Sequence, residues 1–403
     1  MPMDGETHSV EVAVVGGGPA GLTAAVALAA AGIETALISR TPPPDNRTTA
    51  LWSASVAAME ALEVWPLCRD DSAPLTAIRL IDDTRRLIRA PEVTFEASEI
   101  GVAAFGHNIA NRHLIAALDR RAAELPSLRR IEAAVTTLEP GDSGVTIRLD
   151  NGAAIAARLV VGADGRKSLC RQAAGIETDR RDYPQAALTL NFTHARSHSG
   201  VSTEFHTESG PFTLVPLPGL RSSLVCVTEP EEAERLAALD AAALSAEVER
   251  RAHSILGKVS VEDGRGLFPL GVETARSFAA RRIALTGEAA HVIPPIGAQG
   301  LNLGLRDVAT ISELVVEARR DGRDVGGDEL LARYDRMRRA DVTGRTVAVD
   351  MLNRSLLSDF LPVQASRGLG LYLIDRIAPL RRALMREGVA PATQPRLMRG
   401  EAL

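Results

Sequence analysis

This chain of 403 residues has three cysteines, Cys68, Cys170 and Cys226, widely spaced and with no C-x-x-C pair. A disulfide framework and a cysteine zinc site are therefore not expected, and a reducing, cytoplasmic compartment is the natural reading. No excess of basic residues exists either: Lys and Arg number 46 against 51 Asp and Glu, a formal charge of −5. Nucleic acid is not an expected partner. No Gly-x-Ser-x-Gly elbow, metal-spaced histidine pair or catalytic carboxylate pair stands out, so neither a side-chain nucleophile nor a metal is expected to carry the chemistry. Asp4 and Glu6 stand where a secretory signal would be basic. One uncharged run, Val12 to Ile33, is 22 residues long, enough on paper to span a bilayer. It contains five glycines and a proline, and a buried strand, turn and helix explain it better.

What is present begins with that run. Val10–Val15 is almost wholly apolar, as a strand covered on both faces should be. A glycine turn follows, then an alanine-rich helix over Leu22–Ala31, then a second strand over Ile33–Ile38. This is a β-α-β unit of a parallel sheet. Further parallel-type strands are expected at Arg158–Gly162 and Arg282–Thr286, the latter followed by a helix from Leu301 to Arg320. Between them lie antiparallel-type strands at Gln185–Arg196, Ser202–His206, Pro211–Pro216 and Ser222–Thr228, then one long amphipathic helical region over Glu231–Leu256.

The fold class expected is α/β: a Rossmann-like dinucleotide domain with a parallel sheet (1–73, 103–180 and 276–328), an inserted antiparallel-sheet substrate domain (74–102 and 181–275), and a helical C-terminal region (329–403).

Gly16, Gly18 and Gly21 form G-x-G-x-x-G between strand and helix. The first glycine permits the turn, the second admits a pyrophosphate to the backbone, and the third allows close helix–strand packing. Phosphates then meet free N–H groups at the positive helix end, near Ala20. An acid is expected about 20 residues on to hold a ribose. Ser39 and Arg40 stand there instead; Ser39 offers a weaker hydrogen bond, Arg40 a partner for a 2′-phosphate. The motif alone does not choose between FAD and NADP.

Two later segments bear on that choice: LVVGADGRKSLCR from Leu159 and ALTGEAAHVIPPIGAQGLNLGLRD from Ala284. With GGGPAG they resemble the three fingerprints of the class A flavin-dependent aromatic hydroxylases, whose fold is that of p-hydroxybenzoate hydroxylase. The resemblance spans most of the chain. NRTTAL from Asn46, Asn111-Arg112 with Leu114, and LLARYDRMRRAD from Leu330 look like its ubiquinone-biosynthesis branch, which acts on polyprenylated phenols.

The resemblance implies FAD as cofactor, NAD(P)H as a transient co-substrate, and O2 with a prenylated phenol as reactants, through a flavin C4a-hydroperoxide. Asp164 would then serve flavin and nicotinamide, with Arg166 and Arg171 nearby. Gly287 and Glu288, where the family usually has Asp, would meet the flavin ribityl chain. Gly300, Leu301 and Asn302 would contact the flavin, and Gly297 and Gly304 would make room for its ring. Arg112 and Arg47 would reach its pyrophosphate or ribityl region. Pro294 and Pro295 would wall the ring, the Pro295 carbonyl accepting a substrate hydroxyl, and His291 is an acid–base candidate.

Phe205, Phe212, Leu214, Val215, Leu217 and Val225 could line a prenyl channel. A leucine-rich stretch (Leu356, Leu357, Phe360, Leu361, Leu369, Leu371, Tyr372, Leu373, Ile374) with Arg376, Arg381, Arg382 and Arg386 could rest on the inner face of a membrane. Alternatively it packs on the flavin domain, a twin subunit of a homo-oligomer, or a ubiquinone-biosynthesis complex. The rival activity is hydroxylation of a small soluble phenolic acid. A halogenase lacks its W-x-W-x-I-P here, since Trp52 and Trp65 are not so spaced. A reductase of the same fold and a flavin-free binding protein are the remaining rivals.

Overall fold

The computed structural model describes residues 7–41, 45–86, 89–357, 370, 372–374, 376–389 and 393–403, side chains at 7, 347–350 and 352–357 excepted. Phe360, Leu361, Leu369 and Leu371 lie outside these residues, as do the side chains of Leu356 and Leu357.

The first sheet runs in the order Ala279–Ala280, Ile283–Leu285, Ala154–Gly162, Thr7–Val15, Thr35–Ile38, Leu128–Ile131. From Ile283–Leu285 onward these pairings are parallel, and the strand Val145–Leu149 adds an antiparallel flank. Val12, Ala13 and Val14 are fully buried, which is why an all-apolar run is needed there. Register sets the site. Val15 lies opposite Gly162 and Ile38, and Gly162 opposite Leu285, so the chain leaves these strands at one edge at Gly16, Ser39, Ala163 and Thr286. That edge is where open α/β sheets bind ligands.

The second sheet has the order His291–Val292, Gly266–Ala275, Thr178–His194, Arg221–Thr228, Pro211–Leu217, Val201–His206, Ala77–Asp82, Val93–Glu96. Its only parallel neighbours along this order are Val201–His206 and Ala77–Asp82. A small third sheet joins Thr48–Trp52, Gly106–Ala110 and Ser72–Pro74. One face of the second sheet is covered by two helices, Pro230–Ala238 and Ala241–Arg251, through Leu236, Leu244 and Val248. The single helix expected over Glu231–Leu256 is thus broken. Leu239 turns extended, and the Asp240 carboxylate caps a new helix by accepting the Ala243 N–H at 2.7 Å.

The helix expected at Leu22 begins three residues earlier, with Pro19 in the first turn, where a missing N–H costs nothing. The long helix Gln299–Arg320 packs against it and against Asp328–Leu357. The C-terminal region is helical, with Asp328–Leu357 and Ala378–Val389 as its main elements among the described residues. After Ala378–Val389 a short turn, Leu397–Arg399, buries Leu397 and Met398 in the core of the first sheet. Among the described residues no helix is long and apolar enough to cross a membrane. All three cysteines are buried and free.

Candidate active site

A cavity of about 1020 Å³ lies between the two sheets, touched by the C-terminal helix Ala378–Val389. At one end two helix N-termini meet it. Pro19–Ala30 starts at Gly18 and Gln299–Arg320 at Ala298; neither has a side-chain cap or an acid in its first turn. Their leading N–H groups are therefore free for an anionic ligand.

The three fingerprint glycines differ in what surrounds them. Gly16 has φ +119°, and a Cβ there would lie 2.2 Å from the Ala163 carbonyl oxygen. A Cβ on Gly21 would lie 2.0 Å from the Gly16 carbonyl oxygen, so this glycine holds helix against strand. Around Gly18 a Cβ would meet nothing within 4 Å, and the same holds for Gly165 and Gly300. Gly18, Gly165 and Gly300 all line the cavity. Backbone cleared of side chains and two uncapped helix ends are what a flavin dinucleotide requires, and the residues present fit FAD.

The other expected residues divide into those that reach the cavity and those that do not. Ala20, Arg47, Gly287, Glu288, Pro295, Gly297 and Leu301 line it. Glu288 is half-exposed and pairs with Arg166 at 3.4 Å. Arg47 is held by Asp45 at 2.9 Å, and Asn111 Nδ2 donates to the same carboxylate at 2.8 Å. Burial alone would raise the Asp45 carboxyl; the donors Arg47 and Asn111 outweigh it and bring it below its ordinary value.

Arg40 points away to pair with Asp150, and Arg112 is exposed beside His113. Ser39 stands against Gly17, where a Cβ would come within 2.7 Å of its hydroxyl; it does not line the cavity. Neither Arg40 nor Arg112 lines it either. The Asp164 carboxylate is spent on the Ser168 hydroxyl at 2.6 Å and the Cys170 N–H at 3.1 Å. It braces the turn, while its neighbours Ala163, Gly165 and Arg166 form the wall. Asn302 is also a brace. Its Oδ1 accepts from the Trp52 N–H and the Ser55 hydroxyl, and its Nδ2 donates to the Ala50 and Ala298 carbonyls. Gly304 makes room for Gly287 rather than for a ring: a Cβ on Gly304 would lie 3.1 Å from the Gly287 Cα.

Behind the site lies a charge network that sequence reasoning missed. Asp307, fully buried, accepts from His291 Nε2 at 2.7 Å, the Gly287 N–H at 2.9 Å and Arg338 Nε at 2.6 Å. Arg338 continues to Asp341 at 2.7 Å, which also holds Arg306. Desolvation pushes the Asp307 carboxyl upward, but the charges of His291 and Arg338 and the Gly287 N–H outweigh it and leave it lowered. The His291 side chain is buried at the edge of the cavity, where its Nε2 bond to Asp307 supports the Gly287 turn that the same carboxylate holds. The signal was available: Asp307, Arg338 and Asp341 all lie in the GLNLGLRD and LLARYDRMRRAD segments.

At the other end the cavity wall is the uncovered face of the second sheet. Strand alternation sends Phe205, Phe212 and Leu214 to the helix-covered core instead, and Leu217 is buried away from the cavity; Val215 and Val225 do line it. They are joined by Ile78, Leu80, Phe95 and Leu270, with Met385 and Val389 from the C-terminal helix. Among the described residues no group of three or more His, Cys, Asp or Glu side chains is arranged to hold a metal.

A β-α-β dinucleotide cradle facing an antiparallel sheet across one chamber defines a flavin-dependent monooxygenase fold. Matched over residues 9–348, the chain belongs to the FAD binding domain family. It is 36% identical over 415 residues to the ubiquinone hydroxylase UbiL of Rhodospirillum rubrum, covering 100% of this chain and 96% of that one. To the 3-demethoxyubiquinol 3-hydroxylase of Escherichia coli it is 30% identical over 389 residues, covering 93% and 97%. Among solved structures, p-nitrophenol 4-monooxygenase from Pseudomonas putida superposes with a TM-score of 0.79 at 19% identity, covering 96% of this chain and all of that one. The chain is thus an FAD-binding enzyme of the monooxygenase class.

Proposed function

We propose that this protein hydroxylates the ring of a polyprenylated phenol in ubiquinone biosynthesis, using FAD, NAD(P)H and O2. The observation that carries the reading is the chamber itself: a flavin cradle at one end opens into an apolar-walled space running on to the C-terminal helix. A ring with a long hydrocarbon tail matches that lining, since burying the tail is favourable in proportion to its area. The alternative, a small phenolic acid, calls for a cation to hold its carboxylate. The cavity's arginines are already engaged: Arg47 with Asp45, Arg166 with Glu288, and Arg265 with the Ala237 and Leu239 carbonyls.

When bound, FAD reduced by NAD(P)H supplies the activation of dioxygen that ring hydroxylation needs. The chain's own residues do the rest. Gly18 and Ala20 with the first helix end would hold the pyrophosphate, and Glu288 a ribityl hydroxyl. Gly300 and Leu301 at the second helix end would meet the flavin ring and favour the negative charge of its reduced form. Pro294 and Pro295 give that end a stiff wall; the Pro294 carbonyl accepts the Ile296 N–H at 2.7 Å, pinning the turn. The surrounding apolar residues keep water from the reacting ring.

A peripheral membrane contact belongs to the same reading. Tyr372, Leu373, Ile377, Leu380 and Leu384 are exposed, and Arg376, Arg382 and Arg386 are exposed beside them. Met385 and Val389 on the same helix line the cavity, so a tail could pass from lipid to chamber along it.

The test follows flavin absorbance, NAD(P)H oxidation and oxygen uptake with a prenylated phenol and, separately, with a small hydroxybenzoic acid. Faster, coupled turnover and a hydroxylated product with the prenylated phenol alone is the expected result. A response to the acid alone would transfer the reading to the alternative.

A further inference from the structure

The strand Val201–His206 places an acid–base pair on the cavity wall. Glu204 Oε1 accepts from His206 Nε2 at 2.8 Å, and its Oε2 accepts from the Thr213 hydroxyl at 3.1 Å. Alternation along the strand turns Glu204 and His206 to the cavity face and Phe205 to the core. Thr213 is the register partner of Glu204 on the neighbouring strand, and Leu80 its partner on the other side. The His206 side chain is 4% exposed and that of Glu204 15%, and both border the chamber.

A carboxylate in an apolar wall is costly to keep, and a clip between two strands does not need one. Burial tends to raise this carboxyl, yet the His206 bond and its electrostatic attraction, with the Thr213 bond, outweigh it and hold it below its ordinary value, which favours the ionised form. Two bonds leave lone pairs free on both oxygens, and an ionised acceptor binds a hydroxyl donor more strongly than a neutral carbonyl does.

We infer that the Glu204 carboxylate, fixed by His206 and Thr213, accepts the ring hydroxyl of the substrate and turns away phenols that carry a ring carboxylate. This rests on the phenol-hydroxylase reading above and assigns to Glu204 the acceptor role first considered for the Pro295 carbonyl. No proton leaves: the hydroxyl stays O–H, donates to the carboxylate, and thereby releases electron density to the ring positions ortho and para to it. Those are the positions an electrophilic oxygen attacks. The negative charge works by repulsion against a benzoate, for which the chamber has no free arginine among the described residues, so one side chain selects the decarboxylated phenol class.

The test is titration of the FAD-loaded protein with three ligands, read by perturbation of the flavin spectrum: a prenylated phenol, its O-methyl ether, and the prenylated hydroxybenzoic acid. In the wild type the free phenol should bind about tenfold or more tighter than the ether, the size of a hydrogen bond to a charged partner. Glu204→Gln should shrink that ratio severalfold and raise affinity for the acid about tenfold. Glu204→Ala should abolish the phenol-to-ether difference, with FAD content as the check on folding; Glu204→Gln, nearly the same size, carries the test if the alanine variant does not fold. Equal binding of phenol and ether to the wild type, or unchanged discrimination in Glu204→Gln, overturns the inference while leaving the hydroxylase reading intact. Failure of every prenylated ligand to perturb the wild-type flavin overturns both.

Discussion

Gly18→Ala and Gly21→Ala are chemically the same change three residues apart, and the structure predicts opposite consequences. At Gly21 the new methyl would lie 2.0 Å from the Gly16 carbonyl oxygen and 3.2 Å from Ala163 Cβ, so helix Pro19–Ala30 must lift by about 1.4 Å to restore contact at 3.4 Å. Overpacking of that kind costs about 3 kcal/mol, or roughly 3–4 °C in apparent midpoint for a chain of this length. At Gly18 the backbone is already extended, φ −76° and ψ 175°, which alanine adopts freely, and no atom lies within 4 Å of the new methyl. Stability should move by no more than about 1 kcal/mol. The methyl occupies the space facing the helix end, where a pyrophosphate would lie, so FAD affinity should fall at least ~100-fold, about 2.8 kcal/mol. Thermal melts of the apoproteins and fluorescence titration with FAD separate the two effects. A Gly18→Ala protein with wild-type FAD affinity, or a Gly21→Ala apoprotein with a wild-type melt, would refute the reasoning.

Glu288→Ala should weaken FAD binding about tenfold with an unchanged apoprotein melt, because Glu288 is half-exposed and its ion pair is with the half-exposed Arg166; unchanged FAD affinity would remove it from the site. Asp307→Asn should cost about 3 kcal/mol, since among the described residues Arg338 keeps only Asp341 as a charged partner in the interior. The Asp307 and Asp341 carboxyls both lie below their ordinary value. Their contribution is therefore complete above about pH 4, the unfolded value, and drains away as pH falls through the lower native values. Denaturation curves of wild type and Asp307→Asn should converge below that pH, and a constant gap would contradict this linkage. Arg381, bonded to Glu99 at 2.7 Å and stacked 4.6 Å over Phe95, fastens the C-terminal helix to the chamber. Arg381→Met should weaken binding of long-tailed phenols and leave short-tailed ones unaffected, and equal loss for both would place the helix outside the substrate path.

The strand–turn–helix was legible because its demands are local: an apolar run, then glycines at the positions where only a missing Cβ will do. Gly21 meets backbone five residues away at Gly16, and Gly16 meets it across one strand pairing at Ala163, and their spacing reports the first of these directly. The roles of Asn302, His291 and Asp164 were not legible, because a motif marks residues that a site requires without saying whether they touch the ligand or brace what does. Asn302 holds Trp52 and Ser55, nearly 250 positions away, and Arg40 finds Asp150 across the sheet. Such partners carry no local signature. On the strand ending T-E-F-H the alternation is visible, but both faces are buried, one by helices and one by the chamber. Alternation alone does not tell which of them lines the chamber, and it is the polar face that does. The helix break at Leu239-Asp240 was legible in principle, since an aspartate three residues before a free N–H is an N-cap signal.

Ring hydroxylation of a prenylated phenol with an oxygen atom from dioxygen is the central claim. The most direct measurement is turnover of the FAD-loaded protein with NAD(P)H and a prenylated phenol under isotopically heavy O2, followed by mass spectrometry of the product. One heavy oxygen atom on the ring, with the tail intact and little hydrogen peroxide released, is the predicted result. Unlabelled product, or NAD(P)H consumed entirely to peroxide while the phenol is recovered unchanged, would contradict it.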